Sequence, residues 1–174
     1  MTISQHSKNG FFLALGVLVA DQLSKWWILE SFHLEQKGSV DLLPFLSFTM
    51  VWNKGISMGL FNADGDISRW ILIIVTSFVA VGLIVWLARG ADKWLSLALG
   101  GIIGGAIGNI IDRVMHGAVV DFIHLHAFNW SFYVFNVADA MISLGVIVLL
   151  FDGLRSEDKS PTRDESKSSQ ESAD

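Results

Sequence analysis

The chain has no cysteine. That excludes disulfides, thiol catalysis and cysteine-ligated metals, and leaves the compartment open. Charge is also scarce. Only 17% of the 174 residues are Asp, Glu, Lys or Arg, against about 25% in a soluble domain. Hydrophobic residues make up 52%, and they fall in long runs, so the sequence reads as a membrane protein. A third absence is local: no Lys or Arg occurs between Arg113 and Arg155. The net charge of −5 is carried largely by the C-terminal tail and the loops. It offers no basic surface for nucleic acid.

The length suits one domain, predicted over 1–154, followed by a polar tail, 155–174, expected to be disordered. A helix needs roughly 20 residues to cross about 30 Å of hydrocarbon. Four stretches qualify: 11–29, 70–87, 94–111 and 132–150. The first lacks a small-x-small cleavage site and holds Asp21 and Lys25, so it is a retained span and not a signal peptide. The i,i+4 spacing of that pair puts both on one helix face. Gly100, Gly104 and Gly108 recur every four residues in the third span, giving a face that another helix can approach closely. The loops are 30–67 and 112–131. Val40 to Trp52 is β-branched and aromatic with Pro44 inside, hence extended with an edge or bend. Asn53-Lys54-Gly55 and Asn62 to Asp66 are turns.

Four spans put both termini on one side. That side carries Lys8, Arg89, Lys93, Arg155, Lys159, Arg163 and Lys167; the other carries Lys37, Lys54, Arg69 and Arg113. The excess places the termini in the cytoplasm, with both long loops outside.

Asp121 and Asp139 sit among apolar neighbours. Burying an unpaired charge is expensive, so a carboxylate kept there is usually kept for use. Two carboxyls sharing a water cannot easily both ionise; the pair holds one proton near neutral pH. It can then act as base towards water and acid towards a carbonyl, which is what peptide hydrolysis without a metal requires. With the fourth span starting at Phe132, Asp139 lies about two turns in, with Asn136 on the same face. Spacing alone leaves open two separately solvated charges. Asp112 and Arg113 read either as an interface ion pair or, with Asn109, as a hold on a loop or lipid-bearing substrate. Asn53 reads as a bare turn residue or as an amide offered to a peptide. His124 and His126 would share a strand face with Asp121 nearby, but nothing like H-E-x-x-H accompanies His116, His124 and His126, and no metal site is assigned.

Five motifs in order carry a family likeness: Asp21-Gln22-Leu23-Ser24-Lys25; Asn53-Lys54-Gly55 with Gly59-Leu60-Phe61; Gly108-Asn109-Ile110-Ile111-Asp112-Arg113; Val119-Val120-Asp121-Phe122; and Phe135-Asn136-Val137-Ala138-Asp139. Together they resemble lipoprotein signal peptidase (signal peptidase II) over about 11–151. The resemblance implies a mainly α, integral membrane, four-helix bundle with a small extended cradle and a short helix in the first periplasmic loop. It implies a bacterial inner-membrane aspartic endopeptidase, without cofactor, that removes the signal peptide from prolipoproteins before a diacylglyceryl-modified cysteine. Its catalytic aspartates fall on Asp121 and Asp139. Residues used around the dyad and substrate fall on Asn53, Gly55, Asn109, Asp112, Arg113 and Asn136, with Asp21 and Lys25 in support. Membrane lipids and the inhibitor globomycin are the further expected partners, and nothing demands more than a monomer. Ile56-Ser57-Met58 departs from the smaller or aromatic residues common in the family, which bears on the substrate wall.

Two other classes fit the residues less well. A proton-coupled carrier needs acids near the midplane and usually an internal repeat. A scaffold assembling through the glycine face would tolerate replacement of the aspartates.

Overall fold

The computed structural model describes residues 3–55, 66–127 and 130–157. Helix α1 (Gln5–Trp26) is capped by the Ser4 hydroxyl on Ser7 N and continues into a π turn, Trp27–Ser31. A one-turn helix α2 (Leu34–Lys37) leads to strands β1 (Ser39–Leu43) and β2 (Leu46–Asn53). Helices α3 (Asp66–Ala88) and α4 (Lys93–His116) follow. Then come β3 (Val119–Ala127), β4 (Trp130–Phe135) and α5 (Val137–Glu157). Among the described residues, four helices are long and apolar enough to cross a membrane: Gln5–Ser31, Ile67–Ala88, Lys93–His116 and Val137–Leu154.

Helix α4 is the centre of the bundle. About 67% of its apolar window is buried, against 11% for α5, so the other spans pack around it and keep most of their surface for lipid. Its glycines explain the close fit. Side chains built at Gly100 and Gly104 would strike the backbone of Gly10 and Ala14 on α1. One at Gly105 would come within 2.6 Å of the Ala138 carbonyl on α5. Where hydrocarbon surrounds the bundle, association rests on such backbone approach, because lipid is as apolar as the helices.

The four strands form one antiparallel sheet in the order β1-β2-β3-β4. The extended reading of 40–52 resolves into two strands that turn at Pro44, which accepts no ladder duty there. On one face Phe48, Met50 and Trp52 pack with Ile28, Leu34, Val120 and Phe122. Phe48 stacks edge-on against Trp27, Phe32 and Phe122. The sheet is thereby fastened to the end of α1 and to α2.

Several boundaries differ from the sequence reading. Helix α1 begins at Gln5, α4 runs on to His116 so that Asp112 and Arg113 are helical and not in the loop, and α5 reaches Glu157, into the stretch expected to be disordered. The segment from Phe132 to Phe135 is strand β4, and the fourth span starts at Val137. Apolar continuity hid the change: an aromatic strand and a buried helix give the same hydropathy, and only Asn136 marks the junction. Asp139 consequently lies in the first turn of α5, not two turns in. The second loop is correspondingly a β3–β4 hairpin. The Gly59-Leu60-Phe61 motif, Ile56-Ser57-Met58, most of the Asn62 to Asp66 turn and the tail from 158 lie outside the described residues.

Replacing Gly104 by leucine should lower the thermal midpoint in detergent by several degrees, since overpacking of this kind costs about 1–3 kcal/mol or more. Gly82→Ala, with open space around it, should leave the midpoint unchanged or raise it; equal effects would refute the glycine-face account.

Candidate active site

The site begins with Lys25, which is 3% exposed. Its ammonium lies 2.8 Å from Asp21 Oδ2 and 2.7 Å from Asp112 Oδ2, and it donates to Asn109 Oδ1 at 3.2 Å. Gly108 makes this possible: any side chain there would collide with the Asp21 carboxylate. Both acids have a second task. Asp21 Oδ1 accepts from Ala138 N at the start of α5, where the helix leaves N–H groups unpaired and favours negative charge. Asp112 Oδ2 accepts from Val120 N on β3. The ion cluster thus fixes both elements that carry the candidate aspartates.

Two asparagines join those aspartates. Asn136 donates to Asp121 Oδ1 at 2.7 Å and to Asn109 Oδ1 at 3.3 Å. Asn109 in turn donates to Asp139 Oδ1 at 2.8 Å. Because Lys25 and Asn136 both donate to the Asn109 oxygen, its NH₂ must face Asp139. Asn136 also caps α5, its side-chain oxygen accepting from Asp139 N at 2.9 Å, the geometry Asn favours at a helix start.

The turn after β2 closes the other side. Asn53 donates to Asp121 Oδ2 at 2.9 Å, and its oxygen accepts from Gly55 N at 2.8 Å. Gly55 has φ +79°, a conformation open to glycine, and sits beside the Arg113 guanidinium. Arg113 donates to the Asn109 carbonyl at 3.3 Å, is electrostatically coupled to Asp139, Asp112 and Asp121, and keeps its buried Nε without a partner among the described residues.

Asp121 is fully buried. Burial, with the Asp139 charge added, pushes its carboxyl up to about 6 against the opposing hydrogen bonds of Asn53 and Asn136 and the attraction of Lys25. A cavity of about 640 Å³ opens beside the pair, lined by Asn53, Phe132, Tyr133, Phe135, Asp139 and Ile142 among others. Its walls are mostly apolar, with Asn53, Tyr133, Asp139 and Ser143 as the polar members.

All ten residues singled out in the sequence fall in this one network: Asp21, Lys25, Asn53, Gly55, Asn109, Asp112, Arg113, Asp121, Asn136 and Asp139. Two others were not singled out. Gln22 donates to Asp112 Oδ1 at 3.0 Å, to the Gly108 carbonyl and to Asp21 Oδ2, bridging α1 to α4. Its place inside the Asp21-Gln22-Leu23-Ser24-Lys25 motif was the available signal. Tyr133, the one tyrosine of the chain, lies 3.5 Å from the Asn53 amide and lines the cavity. His124 and His126 meet hydroxyls, not carboxylates.

The family model for signal peptidase (SPase) II matches residues 13–155. The chain belongs to the signal peptidase II family. It is 46% identical over 157 residues to the lipoprotein signal peptidase of Methylorubrum extorquens, covering 90% of this chain and 92% of that one. It is 44% identical over 160 residues to that of Methylobacterium radiotolerans, covering 90% and 94%. Its fold resembles a bacterial membrane enzyme solved by the in meso method at 1.9 Å resolution, with TM-score 0.74 and 29% identity over 84% of this chain and 93% of that one. A second such enzyme, at 2.3 Å, gives 0.73 and 25% over 94% and 98%. The signal peptidase II family supplies the reaction class: a multi-pass membrane peptidase that removes signal peptides from prolipoproteins.

Lys25→Met would strand two buried carboxylates. It should destabilise the folded protein by about 3–5 kcal/mol, whereas Gln22→Ala should lose only about 1–3 kcal/mol. Thermal unfolding in one detergent orders the two; a Lys25→Met midpoint at the wild-type value would contradict the assignment.

Proposed function

We propose that this protein is an aspartic endopeptidase that cuts prolipoproteins before a diacylglyceryl-modified cysteine, using water activated between Asp121 and Asp139. The observation that carries the reading is the continuous chain Asp121–Asn136–Asn109–Asp139 beside an apolar cavity.

Asp121 is the partner that holds the proton, because burial and its neighbour's charge lift its pKa towards neutrality. Asp139 is the base: fixed by the Asn109 amide, it removes a proton from water as the water oxygen attacks the scissile carbonyl carbon. Asp121 passes its proton to the carbonyl oxygen, giving a neutral gem-diol. Asp139 then delivers its new proton to the amide nitrogen, the C–N bond breaks, and Asp121 recovers a proton from a diol hydroxyl. Arg113, coupled to both carboxyls, offsets their charge. Proton transfer by a placed group with a pKa near the working pH supplies about 10²–10⁴-fold.

The apolar walls from Phe132, Phe135 and Ile142 suit a lipid-bearing cysteine. Globomycin is expected to compete there, and the protein to act as a monomer among membrane lipids. The Lys and Arg distribution supports an inner-membrane enzyme with cytoplasmic termini and a periplasmic site.

Asp121→Asn and Asp139→Asn should each lower prolipoprotein cleavage in vesicles by at least about 10²-fold while the proteins insert and unfold normally. EDTA should leave the wild-type rate unaltered. Normal processing by either variant ends the proposal.

The pH dependence has a definite sign. A protonated Asp121 is required, so kcat/KM should fall as pH rises through about 6. The Asn53 amide favours the ionised form; Asn53→Ala should therefore move that falling limb to higher pH. Movement to lower pH, or none, would assign the limb elsewhere.

A further inference from the structure

A second cavity, of about 450 Å³, lies between the C-terminal ends of α1 and α4 and shares no lining residue with the one beside Asp139. Its apolar side is a stripe along α1. Val19, Leu23 and Trp26 are spaced by four and three residues, so they fall on one helix face, and they are 47%, 59% and 58% exposed. Its polar end carries Glu30 from the π turn and His116 from the last turn of α4. Its floor includes Lys25 and Asp112, an ion pair of 2.7 Å.

Four polar groups of residues lining this groove have no hydrogen-bond partner among the described residues: the Glu30 carboxylate, the Gln22 side-chain oxygen, the Trp26 indole N–H and the His116 imidazole. Gln22 is the telling case. Its amide nitrogen is committed to Asp21, Asp112 and the Gly108 carbonyl, which turns its oxygen away from the ion cluster. His116 is steadied by the ring of Trp52, 5.6 Å away. Two acceptors and two donors thus stand at one end of an apolar stripe. The charge at the floor is negative, since Lys25 faces both Asp21 and Asp112, and Glu30 adds to it.

We propose that this groove binds one amine-bearing phospholipid of the surrounding bilayer, with the chemistry of phosphatidylethanolamine. The ammonium donates to Glu30 and to the Gln22 oxygen. The phosphate accepts from Trp26 and His116, and one acyl chain lies along Val19 and Leu23. Each part of the lipid meets a group that the protein leaves unsatisfied, and an exposed Trp at a helix end marks headgroup depth. Phosphatidylglycerol brings no cation to the acidic end. Phosphatidylcholine brings a cation without an N–H. Free phosphoethanolamine has the headgroup without the chains. A bound headgroup also roofs the Lys25–Asp112 pair, so the site bears on stability and stands apart from the cleaving pair.

The full chain in nanodiscs tests this. The discs are made of phosphatidylglycerol alone, or with part of it replaced by phosphatidylethanolamine or by phosphatidylcholine. Native mass spectrometry should find one phosphatidylethanolamine retained by the wild type where phosphatidylcholine is stripped, and only phosphatidylethanolamine should raise the thermal midpoint, by several degrees. Glu30→Ala removes a hydrogen bond to a charged group and should retain the lipid about tenfold less. It should also lose the rise in midpoint while matching the wild type in phosphatidylglycerol alone. Effects of phosphatidylethanolamine on the bilayer as a whole act on both proteins alike, so the difference between them reports the groove. If Glu30→Ala does not fold, Leu23→Trp, which fills the apolar side, replaces it. Equal retention of the two lipids by the wild type, or equal retention by wild type and variant, overturns the site. A rise of the same size with free phosphoethanolamine overturns the lipid as its occupant.

Discussion

One ammonium group organises the acidic end of the bundle. Lys25 is held between Asp21 and Asp112 with Asn109 as its third partner, and each of those three partners bonds another element. Asp21 takes Ala138 N of α5, Asp112 takes Val120 N of β3, and Asn109 takes Asp139. Buried charge is expensive unless it is paired and its remaining hydrogen-bonding capacity is filled. Here each filled valence is also a positional constraint. The helices can adopt this arrangement only because Gly108 leaves room for the Asp21 carboxylate.

The charges around the site do not balance, and that imbalance bears on the proposed chemistry. Four carboxyls (Asp21, Asp112, Asp121 and Asp139) face two permanent cations, Lys25 and Arg113. Lys25 is committed to the two structural acids. The other two share Arg113 and neutral amides. A proton on Asp121 removes one uncompensated charge from a fully buried position, and burial is the largest cause of its raised pKa. The surroundings thus favour a singly protonated pair without any direct hydrogen bond between the carboxyls. The asparagines serve as spacers that are rigid, uncharged and able to donate.

Much of this was legible in the sequence, for identifiable reasons. The spans follow from apolar length, and the glycine spacing on α4 anticipates backbone contact with α1. Asp21 and Lys25 at i,i+4 announce a pair. What the sequence concealed was the third member, because Asp112 lies 87 positions from Lys25 and only the fold joins them. Strand β4 was hidden for a different reason: its residues are as apolar as the helix that follows. Placing Asp139 in the first turn of α5 required seeing Asn136 as a cap, and a single Asn in an apolar run does not say which way its side chain turns. Gln22 stayed unmarked since an isolated amide carries no pattern, although it bonds both acids of the cluster.

The late start of α5 has a mechanical meaning. Asp139 rides on the first turn of a helix whose surface is mostly exposed but whose inner side is seated on α4 over several turns, where Gly105 meets the Ala138 carbonyl and Gly145 meets the Ala98 carbonyl. Asp121 stands on a sheet clamped to α1. Backbone seated against backbone leaves no slack for side-chain rearrangement. The spacing of the two acids is therefore set by glycine contacts far along the bundle as well as by the amides between them.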